Sequence, residues 1–193
     1  MTTEDNLRNH NPVYTILFTL DHYLFVLGCL GAADILLYHS IAHGIRSHRD
    51  SRLELWIHSL RGPIYAALFL LIPNFTLHGK FFWLLIGIFV FDVFVSLGDF
   101  IIERGSREFF GGLPTGEYVL HIILAMLFGA LVASVFFSVG HWGTMPTRLT
   151  YDPVTVPLLL RIVMGVMAIF VLVTGAMDAI AATRLAKEMT EAK

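Results

Sequence analysis

The stretches HSIAHGIRSHRDSRLELWIH (residues 39–58) and DFIIERGSREFFGGLPTGEYVLH (residues 99–121) carry one pattern twice. In the first, His39 and His43 close an apolar run and Glu54 and His58 open the next. In the second, Asp99 and Glu103 close a run and Glu117 and His121 open its successor. Each pair is spaced i, i+4, which on an α-helix puts both side chains on one face with Cβ atoms about 5–6 Å apart. Two helical hairpins, whose tips bring these eight metal-capable side chains to one level, are the reading from which the rest follows.

The surrounding sequence makes those hairpins membrane hairpins. Of 193 residues 56% are hydrophobic, and the mean hydropathy is +0.71. A hydrocarbon core of about 30 Å needs roughly 20 helical residues, and apolar runs cover residues 13–37, 57–72, 81–102, 118–139 and 156–182, the second of them short. None alternates with period two, and backbone groups in lipid must bond within their own segment, so the runs read as helices rather than barrel strands. The expectation is an all-α integral membrane protein of five transmembrane helices, with helices 1–4 forming a bundle from two pseudo-repeated hairpins. Residues 1–12 form an extramembrane segment, 13–183 a single bundle domain, and 184–193 a cytoplasmic tail. The start of the chain has Glu4 and Asp5 against Arg8, unlike the basic opening of a cleaved signal, so helix 1 is expected to be retained.

Basic residues set the expected orientation. Arg46, Arg49, Arg52, Arg104, Arg107, Arg184, Lys187 and Lys193 fall on one side and only Arg8, Lys80 and Arg148 on the other. Positive residues favour the cytoplasmic side, which puts the N-terminus outside, the C-terminus inside and both hairpin tips at the cytoplasmic face. A net charge of −2 offers no basic excess for nucleic acid. The single Cys29 has no intramolecular partner for a disulfide.

Individual polar residues have competing structural uses. Asp21 is expected to pair with Arg161, since buried charges are matched. Asp34 projects away from His43 at 100° per residue and reads as a hydrogen-bond partner for a neighbouring helix. Ser51 and Glu54 have capping-box spacing, Glu103 has Arg104 and Arg107 nearby for an ion pair, and Glu117 suits a helix N-terminus. His58, Arg61 and Tyr65 share one face, with a kink expected at Gly62-Pro63. Asp92, Ser96, Asp99 and Glu103 line one face of an otherwise apolar helix, where a charge is costly and needs a partner or a polar cavity. Asp178 reads as an extra ligand, a supporting acceptor, or a partner of Arg184. Gly165 and Gly175 suit close helix packing, or a homodimer contact.

Four histidines and four carboxylates suit a dinuclear centre better than one ion. Without thiolates, and with too much imidazole for magnesium or calcium, the donor set points to iron first, then zinc or manganese. The i, i+4 spacing differs from the Glu-x-x-His element of carboxylate di-metal bundles. The expected ligands are His39, His43, Glu54, His58, Asp99, Glu103, Glu117 and His121. Asp92 and Tyr65 are the expected catalytic or proton-handling groups, with Ser96 and Asp178 supporting the ligands. The expected function is a membrane di-iron oxidoreductase that acts near the cytoplasmic interface on a hydrophobic or lipid-like substrate, with an electron donor as a further partner. Arg46, Arg49, Arg52, Arg61, Arg104 and Arg107 are available for an anionic head group. The alternatives are a zinc-dependent lipid hydrolase, a metal-ion or proton transporter, and a b-type haem protein.

Overall fold

Helix α1 runs from Pro12 to Asp34 and passes without a break into a π-helical stretch, Ile35–Ala42. The computed structural model describes residues 12–152 and 156–191. The expected extramembrane segment 1–12 therefore lies outside the described residues except for Pro12, where α1 begins. Gly44, at φ 54°, turns the chain out of the π stretch in the left-handed conformation that glycine adopts freely. Two short 3₁₀ turns, Ile45–Ser47 and Arg49–Ser51, lead into α2, Arg52–Leu71. Strand β1 (Phe75–His78) follows, then α3 (Lys80–Arg107), a 3₁₀ turn and α4 (Thr115–Val139). A further 3₁₀ turn, strand β2 (Arg148–Tyr151) and α5 (Leu158–Glu191) complete the chain.

Four of these helical segments are long and apolar enough to cross a membrane: Leu20–Ala42, Lys80–Phe110, Thr115–Thr144 and Leu158–Glu191. Helix α2 is the exception to the expected five. It is helical over 20 residues, but Glu54, His58 and Arg61 dilute its apolar run, and only its C-terminal half is continuously lipid-like. The expected tail at 184–193 is not set apart, because α5 continues as one helix through Glu191.

The architecture departs from pure helix at the end opposite the hairpin tips. There β1 and β2 pair antiparallel, Phe75 opposite Tyr151 and His78 opposite Arg148. The ladder fastens two distant connections together. Gly79, at φ 59°, donates its N–H to the Trp142 carbonyl at 2.8 Å, and a Cβ there would lie 2.7 Å from the Cα of Thr147.

Helix packing also revises the expected four-helix bundle. The broadest contact in the molecule is between α2 and α5, followed by α1 with α4 and α2 with α3. Small residues explain the first: a Cβ on Gly62 would lie 3.0 Å from the Val171 carbonyl, and one on Gly175 3.2 Å from the Gly62 Cα. Helix α5 is thus part of the bundle. Gly175 has the close-packing use expected of it, whereas Gly165 has open space beside it. Helices α3 and α4, consecutive in the chain, keep their backbones apart and meet through side chains such as Phe89 and Phe128.

The apolar core fills the strand end and the middle of the bundle, with Leu24, Phe69, Phe82, Phe89, Leu131 and Met164 at its centre. A smaller cluster of Ile45, Leu55, Ala181, Ala182 and Leu185 lies at the hairpin-tip end. The polar residues named below fall between these two apolar layers.

Candidate metal centre

The site begins with the π stretch. In an α-helix residues five apart diverge, but in a π-helix the repeat is i→i+5, and the His43 N–H bonds the Tyr38 carbonyl at 3.0 Å in that register. Asp34 and His39 are consequently brought together, with Asp34 Oδ2 at 3.4 Å from His39 Nε2. The same carboxylate oxygen lies 3.2 Å from His121 Nε2 on α4. Asp34 does bond a neighbouring helix, as expected, yet the bond places it inside the cluster, because the helical phase changes at residue 35.

Two groups of donor atoms result, each with all its members within 4.8 Å of one another: Asp34, His39, Glu117 and His121, and His39, Glu54 and His58. His39 Nε2 lies 3.7 Å from Glu117 Oε1 and 3.9 Å from Glu54 Oε1, and the rings of His39 and His58 meet edge to face at 4.4 Å. Tetrahedral ligands at about 2.0–2.1 Å from a metal stand about 3.3 Å from one another, so these separations suit donors around an ion. Asp34 Oδ1, His39 Nε2 and Glu54 Oε1 are buried and have no hydrogen-bond partner among the described residues. Buried polar atoms are normally satisfied, and an ion would satisfy these.

The other expected ligands sit at the edge of the two groups. His43 Nε2 is 3.2 Å from Glu117 Oε2. Glu103 Oε2 is 3.1 Å from His121 Nδ1, the geometry by which a carboxylate fixes the ring of a ligating histidine. Asp99 Oδ1 is 3.6 Å from His58 Nε2, and its second oxygen accepts from Arg61 Nη1 at 2.9 Å. Arg61 also donates to Ser96 Oγ at 2.6 Å and approaches Asp92 Oδ1 at 3.5 Å. The Tyr65 hydroxyl donates to Asp92 Oδ2 at 3.1 Å. Asp178 accepts from Arg46 Nε at 2.6 Å, while Arg184 instead donates to the Arg46 carbonyl.

Arg107 keeps the pair expected with Glu103 but is drawn into the cluster, away from any head group. It is 0% exposed, and its guanidinium donates to Glu54 Oε2 at 2.8 Å and to both oxygens of Glu117. Glu103 is 3.7 Å away. Helix α3 extends far enough past Glu103 to carry Arg107 back over the cluster, and Ser106 Oγ donates to Ser51 Oγ at 2.7 Å beside it. Glu54 and Ser51 are thereby engaged elsewhere, and no side-chain cap forms at the start of α2. Arg46, Arg61 and Arg107, offered for an anionic head group, are all taken up by carboxylates inside the protein.

The expected Asp21–Arg161 pair does not form. Arg161 donates to Asn74 Oδ1 at 2.8 Å and to the Tyr151 hydroxyl at 2.7 Å, because the strand ladder draws it outward. Asp21 is 0% exposed, and neither of its oxygens has a hydrogen-bond partner among the described residues.

A cavity of about 330 Å³ adjoins the cluster. Its polar end is formed by Asp34, His58, Arg61, Asp92, Asp99 and His121, and its remaining walls by apolar residues of all five helices, from Leu27 to Phe128 and Met167. No protein-family model, curated protein or solved structure matches this chain.

Proposed function

We propose that the protein is a membrane-embedded metalloenzyme, a dinuclear and most simply di-iron oxidoreductase acting on a hydrophobic substrate held in the adjoining cavity. The observation that carries this reading is the orphaned donor set, His39 Nε2, Asp34 Oδ1 and Glu54 Oε1, buried in two donor groups that share His39. Charge supports it. Around the site seven buried carboxylates (Asp34, Glu54, Asp92, Asp99, Glu103, Glu117, Asp178) face three guanidiniums (Arg46, Arg61, Arg107). The excess of carboxylates over guanidiniums has to be offset by bound cations or by protons on the neighbouring histidines, because isolated buried charge is not tolerated without compensation. Asp34, His39, Glu117 and His121, and His39 with Glu54 and His58, are the residues that would hold metal. Imidazole with carboxylate and no thiolate favours iron, manganese or zinc. When bound, the metal supplies redox or Lewis-acid chemistry. The chain's part is to hold His121 through Glu103 and His58 through Asp99, and to exclude water with the apolar layers on either side. With the arginines near the helix ends turned toward the cytoplasm, the site belongs at the inner face.

Metal analysis of the purified protein, together with its absorption spectrum, tests the proposal. About two irons per chain and no Soret band are expected; His39→Ala and Glu117→Gln are expected to lose at least half of that iron. Zinc in place of iron would redirect the reading to a lipid hydrolase. A Soret band, or no metal above background, would overturn it.

A second reading has one observation of its own. The orphaned Asp21 in the opposite half of the bundle suits a relay of protons or metal ions across the membrane. Flux into proteoliposomes that falls with Asp21→Asn would select it.

A further inference from the structure

The cavity beside the metal cluster has a wall chemistry that restricts what it accepts. Its polar end carries four carboxylates, Asp34, Asp92, Asp99 and Asp178, against one guanidinium, Arg61, already bonded to Asp99 and Ser96. Asp92 Oδ1 and Asp99 Oδ1 are buried and accept no hydrogen bond among the described residues. These two oxygens stand 3.5 Å from Arg61 Nε and 3.6 Å from His58 Nε2, respectively, without a hydrogen bond, so they call for a hydrogen-bond donor and disfavour a carboxylate or phosphate, which brings only further acceptors. The apolar part extends from His58 to Phe69 along α2 and from His121 to Gly129 along α4, about 12–16 Å at the helical rise of 1.5 Å per residue. A volume near 330 Å³ is at the small end of ligand pockets, which suits one chain and not two.

The way in follows from the packing. On the α1 side the packing is tight at Gly28, where a Cβ would lie 2.6 Å from Phe69 and would strike Met167. Between α3 and α4 the backbones stand apart; side chains bridge them at the polar end, where Glu103 meets His121 and Arg107 meets Glu117, and beyond it where Phe100 meets His121 at 6.0 Å and Phe89 meets Phe128 at 5.8 Å between ring centroids. Val93, Leu97 and Ala125 lie between those two ring contacts and are exposed while lining the cavity. Together they frame a lateral window facing the lipid.

We infer that the cavity binds an uncharged, single-chain lipid bearing a hydroxyl head, admitted from the bilayer between α3 and α4, with the hydroxyl directed at Asp92 and Asp99. The inference rests on the metalloenzyme reading for its claim that this lipid is the substrate. The acid-rich end excludes fatty-acid carboxylates and phospholipid head groups, and the small volume excludes diacyl lipids.

The test is equilibrium binding of dodecanol and of dodecanoate to the full-length protein in nanodiscs at neutral pH, with metal content measured on the same samples. Dodecanol is expected to bind saturably and about tenfold or more tightly than dodecanoate. Ala125→Trp and, independently, Val93→Trp are expected to abolish that binding without changing metal content, while Phe94→Trp, on the lipid side and away from the cavity, leaves it intact. Asp178→Asn, which frees Arg46, is expected to narrow the preference for dodecanol. Equal binding of the two probes, or dodecanol binding that survives both window variants in folded protein, overturns the inference. Metal retained without saturable dodecanol binding also overturns it and leaves the metal reading standing. Dodecanol binding to a protein that holds no metal keeps the binding site and removes the metalloenzyme.

Discussion

The two ends of this bundle solve the problem of burial in opposite ways. At the strand end Phe82, Phe89, Trp142 and Leu131 fill the space with hydrocarbon and ring, and the loops are fastened by a β ladder and backbone hydrogen bonds. At the hairpin-tip end carboxylates, imidazoles and guanidiniums are buried together between two apolar layers. The first arrangement needs no ion and tolerates many sequences of similar volume. The second is stable only as a set, since removing one member of a buried pair leaves the other charge uncompensated. Where one end of a small membrane bundle accepts that constraint and the other does not, the constrained end is where function belongs. Asp21 is the exception that sharpens the contrast, a lone carboxylate in the apolar half.

The contrast can be broken most directly at Arg107. Arg107→Met removes the cation shared by Glu54 and Glu117 and is expected to cost about 3–5 kcal/mol in denaturant unfolding of metal-free protein. Added metal should recover part of that loss, and an unchanged midpoint would show that the cluster is not held by this pair. At the other end Leu24→Ala is expected to cost about 2–5 kcal/mol through the cavity it leaves, with metal content unchanged; loss of metal would show that the two ends are coupled. Asp21→Leu removes the orphaned acid and is expected to gain roughly 1–3 kcal/mol, read by the same unfolding assay, and destabilisation there would reveal a partner for Asp21. The smallest effect is at His78. Partial burial, with Arg148 and His141 close by, holds its imidazole below the usual 6.5. The unfolded chain therefore takes up the proton first, so stability is constant above that value and declines slightly as pH falls through and below it. His78→Gln should remove that slope, measured as unfolding midpoint against pH.

Much of the site was legible because i, i+4 spacing is a local property of a helix. His39, Glu54, His58, Glu117 and His121 could be placed on converging faces from spacing and from the common level of the hairpin tips. Asp34 was harder, because the π stretch at Ile35–Ala42 shifts the helical phase by a fraction of a turn, and composition alone does not announce it. Arg107 and Arg61 were misread for another reason. A basic residue near a helix end looks the same whether it snorkels to the interface or folds back onto a carboxylate, and only the position of the neighbouring helix distinguishes the two. Arg161 was assigned to Asp21 by depth alone, but depth does not give the azimuth around the bundle.

The amino-acid sequence alone determined that the chain is helical with apolar segments long enough to cross a membrane, though it counted α2 as a fifth where the structure has four, and that histidines and acids gather at one level, because hydropathy and periodicity are local sums along the chain. Tertiary structure decided which charge meets which, that α5 packs through Gly62 and Gly175 into the bundle, and that β1 finds β2 across 69 intervening residues. Those outcomes depend on contacts between residues remote in sequence, whose energies exist only once the helices have chosen their neighbours.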